Sequence, residues 1–278
     1  MNAEPDILSR SSRDGTPAVD EDPLIIADRT FQSRLFMGTS LYANVQVLLD
    51  CLAASGTQMI TAAVRRIHTT GREADILNHI RGQYHLLPNT AGCYTAEDAV
   101  FTAHLAREVF STSWIKLEVI GDEDTLYPNN PELLRAAERL LADGFTVLPY
   151  CSDDPLVCAQ LEAMGCAAVM PLAGPIGSGA GLCNPYALRM IIERARVPVI
   201  IDAGIGTASD ACIAMEMGAS GVLLNTAIAK SLDPLAMARA MRHAVHAGRL
   251  AHGAGRIPVK THASASTITQ GRVEAPAP

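Results

Sequence analysis

Aromatic residues are scarce in this chain of 278 residues. They make up 4% of it, with a single tryptophan, while 49% of the residues are hydrophobic, so Ala, Val, Ile, Leu and Met must fill most of any core. No run of about 18 apolar residues offers a membrane span, and no N-terminal apolar stretch reads as a signal peptide. Seven cysteines, at positions 51, 93, 151, 158, 166, 183 and 212, contain no C-x-x-C pair. An odd, unpatterned set reads as reduced, packed thiols in a cytoplasmic protein, with a persulfide on Cys151 at a strand end as the alternative. No basic run interrupts a net charge of −7, which argues against nucleic acid as a partner. An anionic ligand stays open, because backbone dipoles bind anions whatever the net charge.

What is present is a regular alternation. Residues 1–23 are polar, acidic and rich in Asp, Pro and Ser, and read as a disordered arm. Residues 261–278 read as a mobile tail, which near a barrel mouth could act as a lid. Between them, residues 24–260 begin with a short leading strand or hairpin and a first core strand ending near Gly38. Apolar strands follow at 57–64, 84–88, 113–120, 145–149, 167–171, 198–202 and 221–225. Helical periodicity fills the gaps at about 43–54, 73–81, 95–110, 131–143, 155–163, 185–194, 208–217 and 233–247. Eight βα units of roughly 25 residues predict one (β/α)₈ barrel. The competing doubly wound sheet lacks its G-x-G-x-x-G signature after the first strand, and the glycine-rich GPIGSGAG at 174–181 follows strand six without that spacing.

Barrel chemistry sits at the C-terminal ends of the strands. WIKLEVIGD (114–122) places Lys116 and Glu118 on one face of a strand and Ile115 and Leu117 on the other. Burial would favour a neutral amine able to form an imine with a carbonyl, with the carboxylate moving protons. The same residue types also make a structural ion pair. In VPVIIDAGIGTASD (197–210) a strand ends at Asp202, a possible second proton carrier, and Gly204 and Gly206 precede a helix whose N–H groups could meet an anion. Strand eight ends at Asn225 and Thr226, both able to donate to phosphate oxygens, and Gly177 is the residue of GPIGSGAG placed for close approach. Loops after strands seven and eight are the usual phosphate site of such barrels, although turn and capping chemistry uses the same residues. Asp154 before Pro155 reads as a helix cap, with Asp153 beside it, and His243 and His246 read as solvent-facing without a third metal ligand. Arg65 and Arg66 could steer an anion or pair with acids.

WIKLEVI, LLPNTAG, VLPYCSDDP, GCAAVMPL, PIGSG, PVIIDAGIGTASDA, GVLLNTAI and AGRIP, in this order from about Leu24 to Ser266, resemble bacterial thiazole synthase of thiamin biosynthesis. The resemblance implies that 1-deoxy-D-xylulose 5-phosphate, dehydroglycine and the thiocarboxylate of a small sulfur-carrier protein are joined into a thiazole phosphate. It places the imine-forming lysine at Lys116 and the acid–base groups at Glu118 and Asp202. Substrate binding falls on Gly177, on Ala203 and Gly204, and on Asn225 and Thr226. It further implies a homotetramer and no metal or cofactor, since the imine serves as electron sink. This chain departs from the family in MGTS, with Ser40 where glycine is usual, and in Ala173 and Gly174 before PIG. Another imine-forming aldolase or lyase would share Lys116, and a non-catalytic phosphate-binding barrel would keep it as an ion pair.

Overall fold

The computed structural model describes residues 22–63, 79–80 and 82–266. A short antiparallel hairpin, β1 (Leu24–Ile26) and β2 (Arg29–Phe31), leads into the chain. Eight parallel strands follow: β3 (Leu35–Gly38), β4 (Met59–Ala63), β5 (His85–Asn89), β6 (Trp114–Leu117), β7 (Thr146–Cys151), β8 (Met170–Pro171), β9 (Ile200–Asp202) and β10 (Gly221–Leu224). Their ladder runs β8-β7-β6-β5-β4-β3-β10-β9, and it closes between β8 and β9 through the parallel bridges Val169↔Val199 and Leu172↔Asp202. The expected (β/α)₈ barrel is the observed one.

Helices α1 (Val45–Ser55), α2 (Ala96–Phe110), α3 (Asn130–Ala142), α4 (Pro155–Met164), α5 (Pro185–Arg194), α6 (Ala208–Glu216), α7 (Thr226–Ala229) and α8 (Pro234–Ala254) connect the strands. Four of them share one start signal, an Asn or Asp cap with proline in the first turn: Asn129, Asp154, Asn184 and Asp233 each accept a hydrogen bond from the first turn's backbone. Asp154 is therefore the cap that its sequence suggests. Helix α8 runs past the expected end near 247 because Gly248 is not a stop. A Cβ there would stand 2.4 Å from the Cys212 carbonyl oxygen, so glycine lets α8 lie against α6. The one-turn α7 was not expected. The predicted helix at 73–81 lies largely, and Arg65 and Arg66 wholly, outside the described residues, as do most of the acidic arm and the chain beyond 266.

Alternation along the strands separates two cores. Ile115, Leu117, Val147 and Ile201 point outward into the layer shared with the helices. Phe36, Met59, Leu87, Trp114, Leu148, Met170, Ile200 and Leu223, one from each strand, point inward and fill the lower lumen. The hairpin caps this floor with Leu24, Ile26 and Phe31. Three aromatic rings meet here: Phe31 meets Phe36 and Trp114 edge-on at 5.9 and 6.3 Å, and His85 lies 4.4 Å from the Trp114 ring. Above this dry floor the strands end in a polar layer.

Candidate active site

The strand parity that sends Trp114 into the floor sends Lys116 into the lumen one layer higher and Glu118 above it. Both are buried, at 5% exposure each, and Asp202 at the tip of β9 is buried at 3%. Lys116 Nζ lies 3.1 Å from Glu118 Oε1 and 2.6 Å from Asp202 Oδ2. The Tyr150 ring of β7 completes the surround, its centroid 5.5 Å from Nζ. The three groups that the sequence reading named for proton and imine chemistry thus meet at one nitrogen.

The charge state differs from the expected one. Burial pushes Lys116 toward the neutral amine, but Asp202 and Glu118 together outweigh it and hold the group as ammonium, above the ordinary lysine value. Asp202 moves the other way from a normal carboxylate: burial raises it first, Lys116 opposes, and the Glu118 charge adds to the rise. One cation between two buried carboxylates leaves an excess negative charge, and Asp202 is the carboxylate best placed to take a proton. The resting nitrogen is charged, with Asp202 Oδ2 2.6 Å away as its nearest carboxylate oxygen.

A cavity of about 580 Å³ opens above the lysine, between the strand ends. All eight sequence-predicted site residues line it: Lys116, Glu118, Asp202, Gly177, Ala203, Gly204, Asn225 and Thr226. Ala203 and Gly204 follow Asp202 with φ of 59° and 73°. A Cβ on Gly204 would stand 2.3 Å from the Gly174 nitrogen, so the loops after β8 and β9 pack backbone on backbone at this point. Gly174, one of the departures from the family pattern, is thereby part of that packing, while Ala173 donates its N–H to the Asp202 carbonyl at 2.9 Å. Ser40, the other departure, receives the Asn225 amide on its carbonyl and hydroxyl oxygens at 2.9 and 3.0 Å. That pair fixes Asn225 across the seam between β10 and β3.

One expected anion site is already engaged. The N–H groups of Gly206 and Thr207, ahead of α6, donate to Asp210 Oδ2 at 2.9 and 3.1 Å, because Thr207 and Asp210 form a capping box. Neither Gly206 nor Thr207 lines the cavity, whereas Gly177, Ala203, Gly204, Asn225 and Thr226 do. Cys151 is outside the cavity: its buried sulfur lies 3.6 Å from that of Cys158 on the outer face of β7, and that thiol contact together with burial pushes it well above the ordinary thiol value. Such a thiol is packing. His243 and His246 are both exposed, and among the described residues no group of three metal-ligating side chains assembles.

Tyr150 was missed because Pro149 reads as the end of its strand. Continuing the alternation from Leu148 would have placed it in the lumen. It is fully buried, packs with Ile120 and Leu172 beneath Leu126, Ile176 and Ala203, and its hydroxyl donates to the Leu126 carbonyl at 3.3 Å. It therefore joins the loop after β6 to the floor of the cavity.

Comparison with known proteins bears on the family and the fold. The family model described as thiazole biosynthesis protein ThiG matches residues 25–268. A thiazole synthase of Citrifermentans bemidjiense is 60% identical over 254 residues, covering 91% of this chain and 98% of its own length. One from Geobacter sp. strain M21 is 61% identical over 252 residues, covering 90% and 97%. Among solved structures, the Amycolatopsis orientalis BexX/CysO complex matches with a TM-score of 0.79 at 33% identity, over 86% of this chain and 98% of that one. With a family model spanning most of its length and relatives at this identity, the chain belongs to the thiazole synthase family.

Proposed function

We propose that this sulfur-transferring thiazole synthase works through an imine on Lys116, formed with the C2 ketone of 1-deoxy-D-xylulose 5-phosphate. The observation that carries the reading is the buried lysine held between two carboxylates at the base of the cavity. Asp202 takes the ammonium proton, the amine adds to C2, and the carbonyl oxygen leaves as water. Removal of the C3 proton and its return at C2 turn the imine into an amine at C2 and the C3 hydroxyl into a ketone, with no net oxidation. Glu118 and Asp202 are the groups within reach for these transfers. The phosphate sits toward Gly177, Gly204, Asn225 and Thr226, which line the cavity.

The new C3 carbonyl is the electrophile for sulfur. We assign the sulfur donor to a small carrier protein ending in a thiocarboxylate, a reading supported by the likeness to BexX, which was solved in complex with CysO. After sulfur adds at C3, the acyl group passes to the C3 oxygen and the carrier leaves as its carboxylate. Loss of water, attack of the dehydroglycine nitrogen at C2 with release of the Lys116 amine, and closure of the ring through sulfur give the thiazole phosphate. The working unit on this reading is a homotetramer in the cytoplasm, where the seven free thiols stay reduced.

Borohydride reduction in the presence of the phosphosugar tests the imine. The expected result is a covalent mass gain that maps to Lys116, and protein left unmodified would overturn the chemistry. Product appearing only when the thiocarboxylated carrier is added separates thiazole synthesis from an aldolase that shares the lysine.

A further inference from the structure

The β6 ladder ends at Leu117, one residue before Glu118, so the pairing of the sheet does not hold this carboxylate in place. Its neighbour across the sheet, β5, ends at Asn89, which pairs with Lys116. The next residue, Thr90, takes over. Its backbone N–H donates to the Lys116 carbonyl at 3.2 Å. Its hydroxyl donates to the Glu118 carbonyl at 2.8 Å and accepts the Glu118 N–H, also at 2.8 Å. The side chain thus does the work of a missing ladder residue by satisfying both backbone groups of Glu118, and with its backbone N–H Thr90 clasps the tripeptide Lys116–Glu118.

Thr90 is 0% exposed and does not line the cavity. It cannot touch a substrate. We infer that Thr90 is a positioning residue of this reaction, whose hydroxyl sets the backbone of Glu118 and so the aim of its carboxylate at the Lys116 nitrogen. The inference rests on the proposed imine chemistry and extends it to a residue with no chemistry of its own. A methyl group in place of the hydroxyl, as in Thr90→Val, keeps the volume but leaves the Glu118 N–H and C=O without partners, so the segment must shift to recover them. A displacement of about 1 Å in a proton-transfer group slows turnover by about 10²-fold.

The test compares wild type, Thr90→Ser and Thr90→Val by steady-state kinetics and by borohydride trapping with the phosphosugar. For Thr90→Val we expect kcat to fall by about 10²-fold, KM for the phosphosugar to stay within about twofold, and Lys116 still to be trapped. Thr90→Ser keeps the hydroxyl and is expected to restore kcat to within about threefold of wild type. Wild-type kcat in Thr90→Val overturns the inference, and so does a joint loss of kcat, KM and trapping, which would mark a general structural role. If Thr90→Val does not fold, Thr90→Cys, with a weak hydrogen-bonding thiol of similar size, takes its place under the same criteria. Absence of trapping in wild type would instead defeat the imine reading, and the role of Thr90 with it.

Discussion

The floor and the mouth of this barrel are built from the same eight strands and solve opposite problems. At the floor, each strand contributes one apolar side chain, the hairpin seals the end, and the rings of Phe31, Phe36 and Trp114 pack edge to face. At the mouth, two to four residues further along the chain, three ionisable groups are buried against one another and Ala203 takes a left-handed backbone conformation. Burial is nearly complete in both layers, so depth does not distinguish them. What differs is the cost: the floor gains free energy from excluding water, whereas the mouth must hold charges that would be better solvated outside. The lower layer stabilises the frame that makes the upper layer tolerable.

If that division is right, breaking each end should damage a different quantity. Lys116→Ala is expected to have the largest effect, lowering turnover by more than about 10³-fold and abolishing borohydride trapping, with the circular dichroism of the barrel retained. Full turnover in this variant would end the imine mechanism. Phe31→Ala attacks the other end and should cost about 3–5 kcal/mol of folding stability, measured by denaturant midpoint, while the molecules that remain folded keep wild-type KM. A large change in KM there would mean that the floor and the mouth are not separable. Tyr150→Phe probes the boundary between them. It keeps the ring beside Lys116 and removes the hydrogen bond to the Leu126 carbonyl, worth about 0.5–1.5 kcal/mol, so KM should rise by roughly 2–10-fold with kcat little changed.

The two layers were not equally legible in the sequence. The alternation in WIKLE placed Lys116 and Glu118 inward because strand parity is a local property, and the strand-end positions of Asp202, Asn225 and Thr226 followed from counting βα units. The charge on Lys116 was not legible. It depends on the 2.6 Å approach of Asp202, which belongs to β9, and closure of the barrel alone brings that strand's tip to β6. Tyr150 was hidden by Pro149, a residue that usually ends a central strand but here lies within β7. Gly248 lies within α8, where glycine serves by lacking a Cβ and not by its backbone freedom. Asp210 was visible as a first-turn acid, yet its grip on the Gly206 and Thr207 amides depends on the loop geometry. Local periodicity carried the frame and the inward residues, and contacts between distant strands decided protonation and access.

The effect expected to be smallest at neutral pH concerns a single titratable group at the floor. His85 packs against Phe31 and Trp114, and its Nε2 is buried without a hydrogen-bond partner. Burial, with a further contribution from Arg29 and partial opposition from Asp28, pushes its pKa down to about 4 from an ordinary 6.5. The sign follows from which state binds the proton first. Between pH 6.5 and about 4 the unfolded chain carries a proton on His85 that the folded chain refuses, so acid in this window favours unfolding. The stability linked to the neutral imidazole is fully present above pH 6.5 and is lost as pH falls toward 4. The melting temperature of wild type should therefore decline through this window, and His85→Phe, which fills the same aromatic space without a titrating nitrogen, should decline less steeply while turnover at neutral pH stays unchanged. Parallel declines in the two proteins would show that the floor already admits enough water to solvate the imidazolium, and that the contrast between a dry base and a charged mouth is weaker than the packing implies.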